Sequence, residues 1–99
     1  YNGIDELQGV VVRRDGETRE YKLDGLFLAV GLVPQNAPFA DVAALDDRGY
    51  IAAGEDCVTV TPGVFVAGDC RNKQIRQVTT ACADGAVAAL AACRYIDSL

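Results

Sequence analysis

Three observations predict an α/β fold for this sequence. The apolar run Val64-Phe65-Val66-Ala67 follows a Pro62-Gly63 turn signal and stops at Gly68-Asp69, as a short strand buried on both faces does. A second apolar run, Leu26 to Val30, is bracketed by Gly25 and Gly31. Alanine then dominates Val78 to Leu99, and alanine is the strongest helix former.

The elements follow in order. Leu7 to Arg14 reads as a strand with β-branched residues at its middle. Asp15-Gly16 is a strong hairpin turn, and Glu17 to Leu23 alternates as a half-exposed return strand. A lone hairpin is marginal in water, so this one calls for a neighbour. Asp24-Gly25 breaks the chain before the Leu26–Val30 strand. Leu32 to Pro38 holds Pro34, Asn36 and Pro38, which exclude regular structure. Phe39 to Leu45 suits one short helical turn, and Asp46 to Gly49 a chain reversal. Tyr50 to Ala53 reads as a short strand, Gly54 to Asp56 as a turn, and Cys57 to Val60 as an extended link. Thr79 or Thr80 is the expected cap of the terminal helix. Its alanines cover nearly every face, which predicts close burial against a sheet or another helix.

The stretch Thr61 to Gln77 organises these elements. Gly68 admits a close backbone approach. Asp69 follows at the carboxyl end of the strand, where open α/β sheets bind ligands. An ionised carboxylate only accepts hydrogen bonds, so it suits a ligand hydroxyl. Arg76-Gln77 comes just before the helix, whose N-terminus carries partial positive charge.

Composition narrows the function. The 99 residues allow at most one small domain, and 51% are apolar, more than such a chain easily buries. The excess predicts a surface that meets a partner. A net charge of −5 without a basic stripe argues against nucleic acid and anionic membranes. Arg71, Lys73 and Arg76 form the one basic cluster and read as a solvated loop. The apolar run Ala86 to Cys93 is too short to span a bilayer. No histidine is present, which removes His-based catalysis and His metal ligation. Cys57, Cys70, Cys82 and Cys93 form no C-x-x-C pair and read as reduced, mostly packed thiols of a cytoplasmic protein. Cys82 and Cys93 share a helix face about 16 Å apart, too far to bridge. With no methionine and an opening Tyr1, the chain is expected to be part of a longer protein.

The string Gly63-Val64-Phe65-Val66-Ala67-Gly68-Asp69, a spacer, Arg76-Gln77, then a helix carrying Asp84-Gly85-Ala86 resembles the C-terminal FAD signature of thioredoxin reductases. Gly25 to Gly31, followed by Pro34 and Asn36, is similar to the family segment that re-enters the FAD domain, although Gln35 intervenes where that family has Pro-Asn adjacent. Asp47-Arg48-Gly49-Tyr50-Ile51 is similar to the family's D-x-x-G-Y-I strand.

The resemblance implies a fragment of a FAD/NAD(P)-binding Rossmann-like domain preceded by a β-hairpin. Residues 1–23 would be the edge hairpin of an NADPH domain, and 24–99 the C-terminal segment of the FAD domain. Asp69 would bond a ribityl hydroxyl of FAD, with Gly68 allowing the approach. Arg76 and Gln77 would lie along the isoalloxazine edge, with backbone N–H groups near Gln77 and Val78 facing the pyrimidine carbonyl. The parent would be an NADPH-dependent thioredoxin-disulfide reductase, with thioredoxin as partner and a homodimer expected. No catalytic or metal-binding residue is assigned to this chain, and alone it is expected to be inactive. Ferredoxin-dependent and peroxiredoxin-reducing relatives, and a stand-alone binding module, are the alternatives.

Overall fold

The computed structural model of the chain describes residues 5–99. Residues 1–4, where the expected edge segment begins, lie outside that range. An antiparallel pair, β1 (Gly9–Arg14) and β2 (Glu17–Lys22), and one long helix, α1 (Val78–Asp97), make up the extended regular structure, with 3-10 turns at Ala37–Phe39 and Gly68–Cys70. Contacts divide the chain into two units, Tyr1–Gly31 and Leu32–Leu99.

In the first unit the hairpin forms where turn chemistry requires it. The ladder runs from Gly9 opposite Lys22 to Arg14 opposite Glu17. Asp15 and Gly16 both adopt positive φ, 51° and 82°, as a two-residue primed turn demands. Gly9 is needed for space, because a Cβ there would come within 2.6 Å of the Tyr21 carbonyl oxygen. The expected strand Leu26–Val30 does not form a ladder. Phe27 and Val30 stand 98% and 91% exposed. A strand is held by its hydrogen-bonded neighbours rather than by its own propensity, and among the described residues none lies beside this one.

In the second unit isolated bridges do the work expected of strands. Ile51 is the hub, paired antiparallel with Leu45 and parallel with Arg71. Its N–H donates to the Cys70 carbonyl at 2.9 Å, and its carbonyl accepts from Asn72 N–H at 2.9 Å. The expected strand Tyr50–Ala53 is thus reduced to one fully engaged residue. Val64–Ala67 likewise makes a single bridge, Phe65 to Val58. Ala43, Ile51 and Val66 form a small core, with Leu45, Ala53 and Cys70 packed against it. The turn at Asp46–Gly49 closes as expected: Gly49 N–H reaches the Asp46 carbonyl, and Asp46 Oδ1 accepts from Arg48 and Tyr50 N–H at 2.9 Å each.

α1 starts one residue after Gln77, its N-cap. Thr80 braces the start from inside the helix, its hydroxyl accepting the Gln77 N–H at 3.1 Å. The predicted close burial of α1 is not found: Asp84 is its one buried residue, Ala81, Ala88, Ala91 and Ala92 are half-buried, and Ala83, Ala86 and Ala89 are exposed. The less exposed positions Ala81, Asp84, Ala88, Ala91 and Tyr95 recur at helical spacing. Besides Asp84, whose partners are described below, this stripe meets the rest of the unit through Tyr95 and Ala81. Tyr95 packs edge-on against Phe65, ring centroids 6.2 Å apart, and Ala81 lies against Gly68. Among the described residues no helix is long and apolar enough to cross a membrane.

Candidate functional site

Thr61-Pro62-Gly63-Val64 closes through Val64 N–H to the Thr61 carbonyl at 3.1 Å. Gly63 at φ 81° supplies the positive φ that a type II turn requires after proline. The chain then runs through Val66 to Gly68, where it bends sharply. Gly68 has φ 84°, and a Cβ there would meet Ala81 only at ordinary contact distance, 3.6 Å. Backbone conformation, more than space, is therefore the reason for glycine at this position. The bend turns the chain into the Gly68–Cys70 3-10 turn and points Asp69 outward.

An open cleft of about 500 Å³ lies between this turn and the first turns of α1, lined by Asp69, Arg76, Gln77, Val78, Ala81 and Cys82. Four of the five sequence-predicted site residues thus line one cleft, and the fifth, Gly68, is buried behind Asp69. At the start of α1 the helix ladder leaves first-turn N–H groups over, and these favour negative charge.

Arg76 is fixed by contacts within the unit. Its Nε donates to the Asp69 carbonyl at 3.1 Å and its Nη2 to the Arg71 carbonyl at 3.2 Å. Its guanidinium stacks 3.7 Å from the centre of the Tyr50 ring, a cation–π contact at a largely buried aromatic. Asn36 ties the neighbouring loops, its amide donating to the carbonyls of Gly49 and Cys70 at 3.0 Å each. The inserted Gln35 therefore leaves Asn36 in a defined buried place.

Behind the cleft the basic cluster departs from its sequence reading. Arg71 is 2% exposed rather than solvated. Its Nε and Nη2 donate to Oδ2 and Oδ1 of Asp84, both at 3.0 Å, a bidentate pair. Lys73 Nζ reaches Asp84 Oδ2 at 3.0 Å, as does the Gly68 N–H. Hydrogen bonding from Arg71 holds the Asp84 carboxyl far below the usual carboxylate range, against the opposing effect of burial, with Lys73 and the Gly68 N–H adding to the depression. The same bond pushes the Arg71 guanidinium up. Glu55, almost wholly exposed, reaches Arg71 at only 3.4 Å and adds little. Sequence reasoning missed this cluster. The available signal was Asp84 itself, the only acid between Asp69 and Asp97 and set among alanines.

The cysteines divide differently from expectation. Cys57 is fully buried, while Cys82 and Cys93 are exposed and all four are free. Burial, then the nearby Asp84 charge, pushes the Cys57 thiol up, which disfavours the reactive thiolate.

Residues 2–85 match the family described as pyridine nucleotide-disulphide oxidoreductase. The chain is 38% identical to a thioredoxin reductase of Bacillus subtilis (strain 168) over 84 residues, covering 85% of this chain and 27% of the relative. It is 46% identical to a thioredoxin reductase of Treponema pallidum (strain Nichols) over 99 residues, covering 98% of this chain and 32% of the relative. Among solved structures it is similar to Lactococcus lactis thioredoxin reductase in its FR conformation, with a TM-score of 0.78, 38% identity, and coverage of 93% of this chain and 31% of that one. It is also similar to T. acidophilum thioredoxin reductase, with a TM-score of 0.73, 39% identity, and coverage of 92% and 30%. The chain therefore spans about a third or less of the length of these relatives.

Proposed function

The chain belongs to the pyridine nucleotide-disulphide oxidoreductase family, and on that premise we propose that it supplies the ribityl and isoalloxazine side of the FAD site in a thioredoxin-disulfide reductase. The observation that carries this reading is the single cleft shared by Asp69, Arg76, Gln77 and Val78 at the start of α1. In this reading residues 24–99 are the C-terminal segment of a Rossmann-like FAD domain, and residues 1–23 are the edge hairpin of an NADPH domain. The partner is thioredoxin, and the enzyme is a cytoplasmic homodimer.

The donor set in the cleft fits a flavin. The exposed Asp69 carboxylate offers acceptors for a polyol hydroxyl. The first-turn N–H groups and the Gln77 amide offer donors for a ring carbonyl. Bound there, FAD would supply the two-electron chemistry that links NADPH to a disulfide. This chain's own part is to bind and orient. The positive end of α1 would favour added negative charge on the ring beside it, and so raise its tendency to accept electrons. Arg76, fixed on Tyr50 and two carbonyls, would hold the cleft wall still while ring charge changes. The chain carries neither a C-x-x-C pair nor a G-x-G-x-x-G loop, so dithiol exchange and pyrophosphate binding would fall to other segments of the enzyme.

The test is spectroscopic. Purified enzyme carrying this chain is expected to show a flavin absorption band that bleaches on anaerobic addition of NADPH and recovers on adding oxidised thioredoxin. A protein without bound flavin would overturn the reading.

A further inference from the structure

Asp84 lies outside the cleft yet touches what builds it. It sits on α1 about two turns past the helix start. Its carboxylate accepts the Gly68 N–H, the residue immediately before Asp69, at 3.0 Å. It also fixes the Arg71 guanidinium, and the Arg71 carbonyl in turn accepts from Arg76. Arg76 completes a circuit by donating to the Asp69 carbonyl. We propose that Asp84 is a positioning residue for the cleft, setting the Gly68–Arg71 turn, and with it Asp69 and Arg76, at a fixed distance from the first turns of α1. This deepens, and rests on, the flavin reading given above.

The argument is geometric. Few other contacts join the two walls. Arg76 reaches across to the Asp69 carbonyl, and Ala81 faces Gly68 with room left for little more than a methyl group between them. Neither fixes a distance as a carboxylate does when it gathers three donors from the facing turn into hydrogen-bond range. Lys73 is the fourth donor, but among the described residues its ammonium hydrogen-bonds to Asp84 and not to the cleft wall. It therefore shares the buried charge without continuing into the cleft, and that asymmetry separates positioning from simple stabilisation.

The experiment uses the flavoprotein carrying this chain and three variants: Asp84→Glu, which keeps the charge but moves it by one methylene; Asp84→Asn, which keeps the shape but loses the charge; and Lys73→Met. Three quantities are read: flavin dissociation constant by fluorescence titration, melting temperature, and amide hydrogen exchange at Gly68. Both Asp84 variants are expected to weaken flavin binding about tenfold or more and to speed exchange at Gly68. Lys73→Met is expected to lower the melting temperature while flavin affinity stays within about twofold. If one Asp84 variant does not fold, the other carries the comparison. Flavin affinity that tracks melting temperature across all variants would reduce Asp84 to a structural residue and overturn the proposal. So would unchanged affinity in the Asp84 variants. An Asp69→Ala variant with unaltered flavin binding would overturn the flavin reading instead, while exchange at Gly68 would still report whether Asp84 holds the turn.

Discussion

Arg71 and Asp84, thirteen residues apart, form a two-point ion pair with both bonds at 3.0 Å and both side chains withdrawn from solvent. Two cations and one backbone N–H converge on the one carboxylate, so desolvating the charges is offset by direct hydrogen bonds. The pair joins α1 to a turn that otherwise meets the helix through little apolar surface. In a unit whose buried core is Ala43, Ile51 and Val66, a polar clamp carries a large share of the tertiary order.

Removing the charge from one partner should therefore be costly. Asp84→Asn is expected to destabilise the protein by about 3–5 kcal/mol, because Arg71 and Lys73 would remain buried facing an amide. Chemical denaturation with a common slope for mutant and wild type measures it. A loss below about 1 kcal/mol would place the pair with ordinary surface bridges.

The same pair predicts acid sensitivity. The folded-state pKa of Asp84 is depressed below the usual value of about 3.9. Its contribution is thus fully present above the unfolded-state pKa and is lost as pH falls toward the folded-state pKa. Stability should stay level on this account from about pH 7 to pH 5 and fall steeply below about pH 4. Denaturation midpoints across that range check the sign. In Asp84→Asn the steep acid limb should be much reduced.

Asp69 gives the direct test of the cleft. In the flavoprotein, Asp69→Ala is expected to weaken FAD retention by about 1.5–3 kcal/mol, the value of one hydrogen bond to a charged group. FAD released on dialysis, compared with wild type, is the measurement. Equal retention would make Asp69 a turn residue only and would overturn the flavin reading of this cleft.

What was legible in the sequence was local. Asp15-Gly16 dictates its own primed turn, and alanine propensity dictates α1, so both elements form where expected. The cleft residues were legible because strand end, turn and helix start lie close together in sequence. The misread features depend on distant partners. Leu26–Val30 has strand composition but no neighbour among the described residues. Arg71 and Lys73 read as solvated because Asp84, which neutralises them, follows thirteen and eleven residues later. Asp84 itself stands among alanines that give no hint of buried charge. Propensity is written residue by residue, whereas burial of charge is decided by which turn the helix meets.

Exposed apolar side chains predict association of the isolated chain. Phe27, Leu28 and Val30 stand open in the first unit, and unpaired strand-like segments recruit others. The purified 99-residue chain is expected to be flavin-free and to self-associate in light scattering. Replacing Phe27 and Val30 with Ser should shift it toward monomer. A clean wild-type monomer at high concentration would show that this surface needs no cover.

Cys82 offers a footprint of the cleft with its own control. It lines the cleft beside Gln77 and Val78, whereas Cys93 is exposed farther along the same helix, about 16 Å away. Both are accessible to a small alkylating reagent in the chain as it stands. Cys57 is fully buried with its thiol pKa raised, so it should react only on unfolding. A ligand in the cleft would cover Cys82 and leave Cys93 open. In the flavoprotein, alkylation of Cys82 should therefore slow by roughly tenfold when FAD is present, since a pocket buries most of its ligand's surface and the side chains behind it. The Cys93 rate should change little. Mass spectrometry of timed alkylation, with and without flavin, reads both sites in one sample. Equal protection of the two cysteines would report general tightening of the fold, and an unprotected Cys82 would move the flavin away from this cleft.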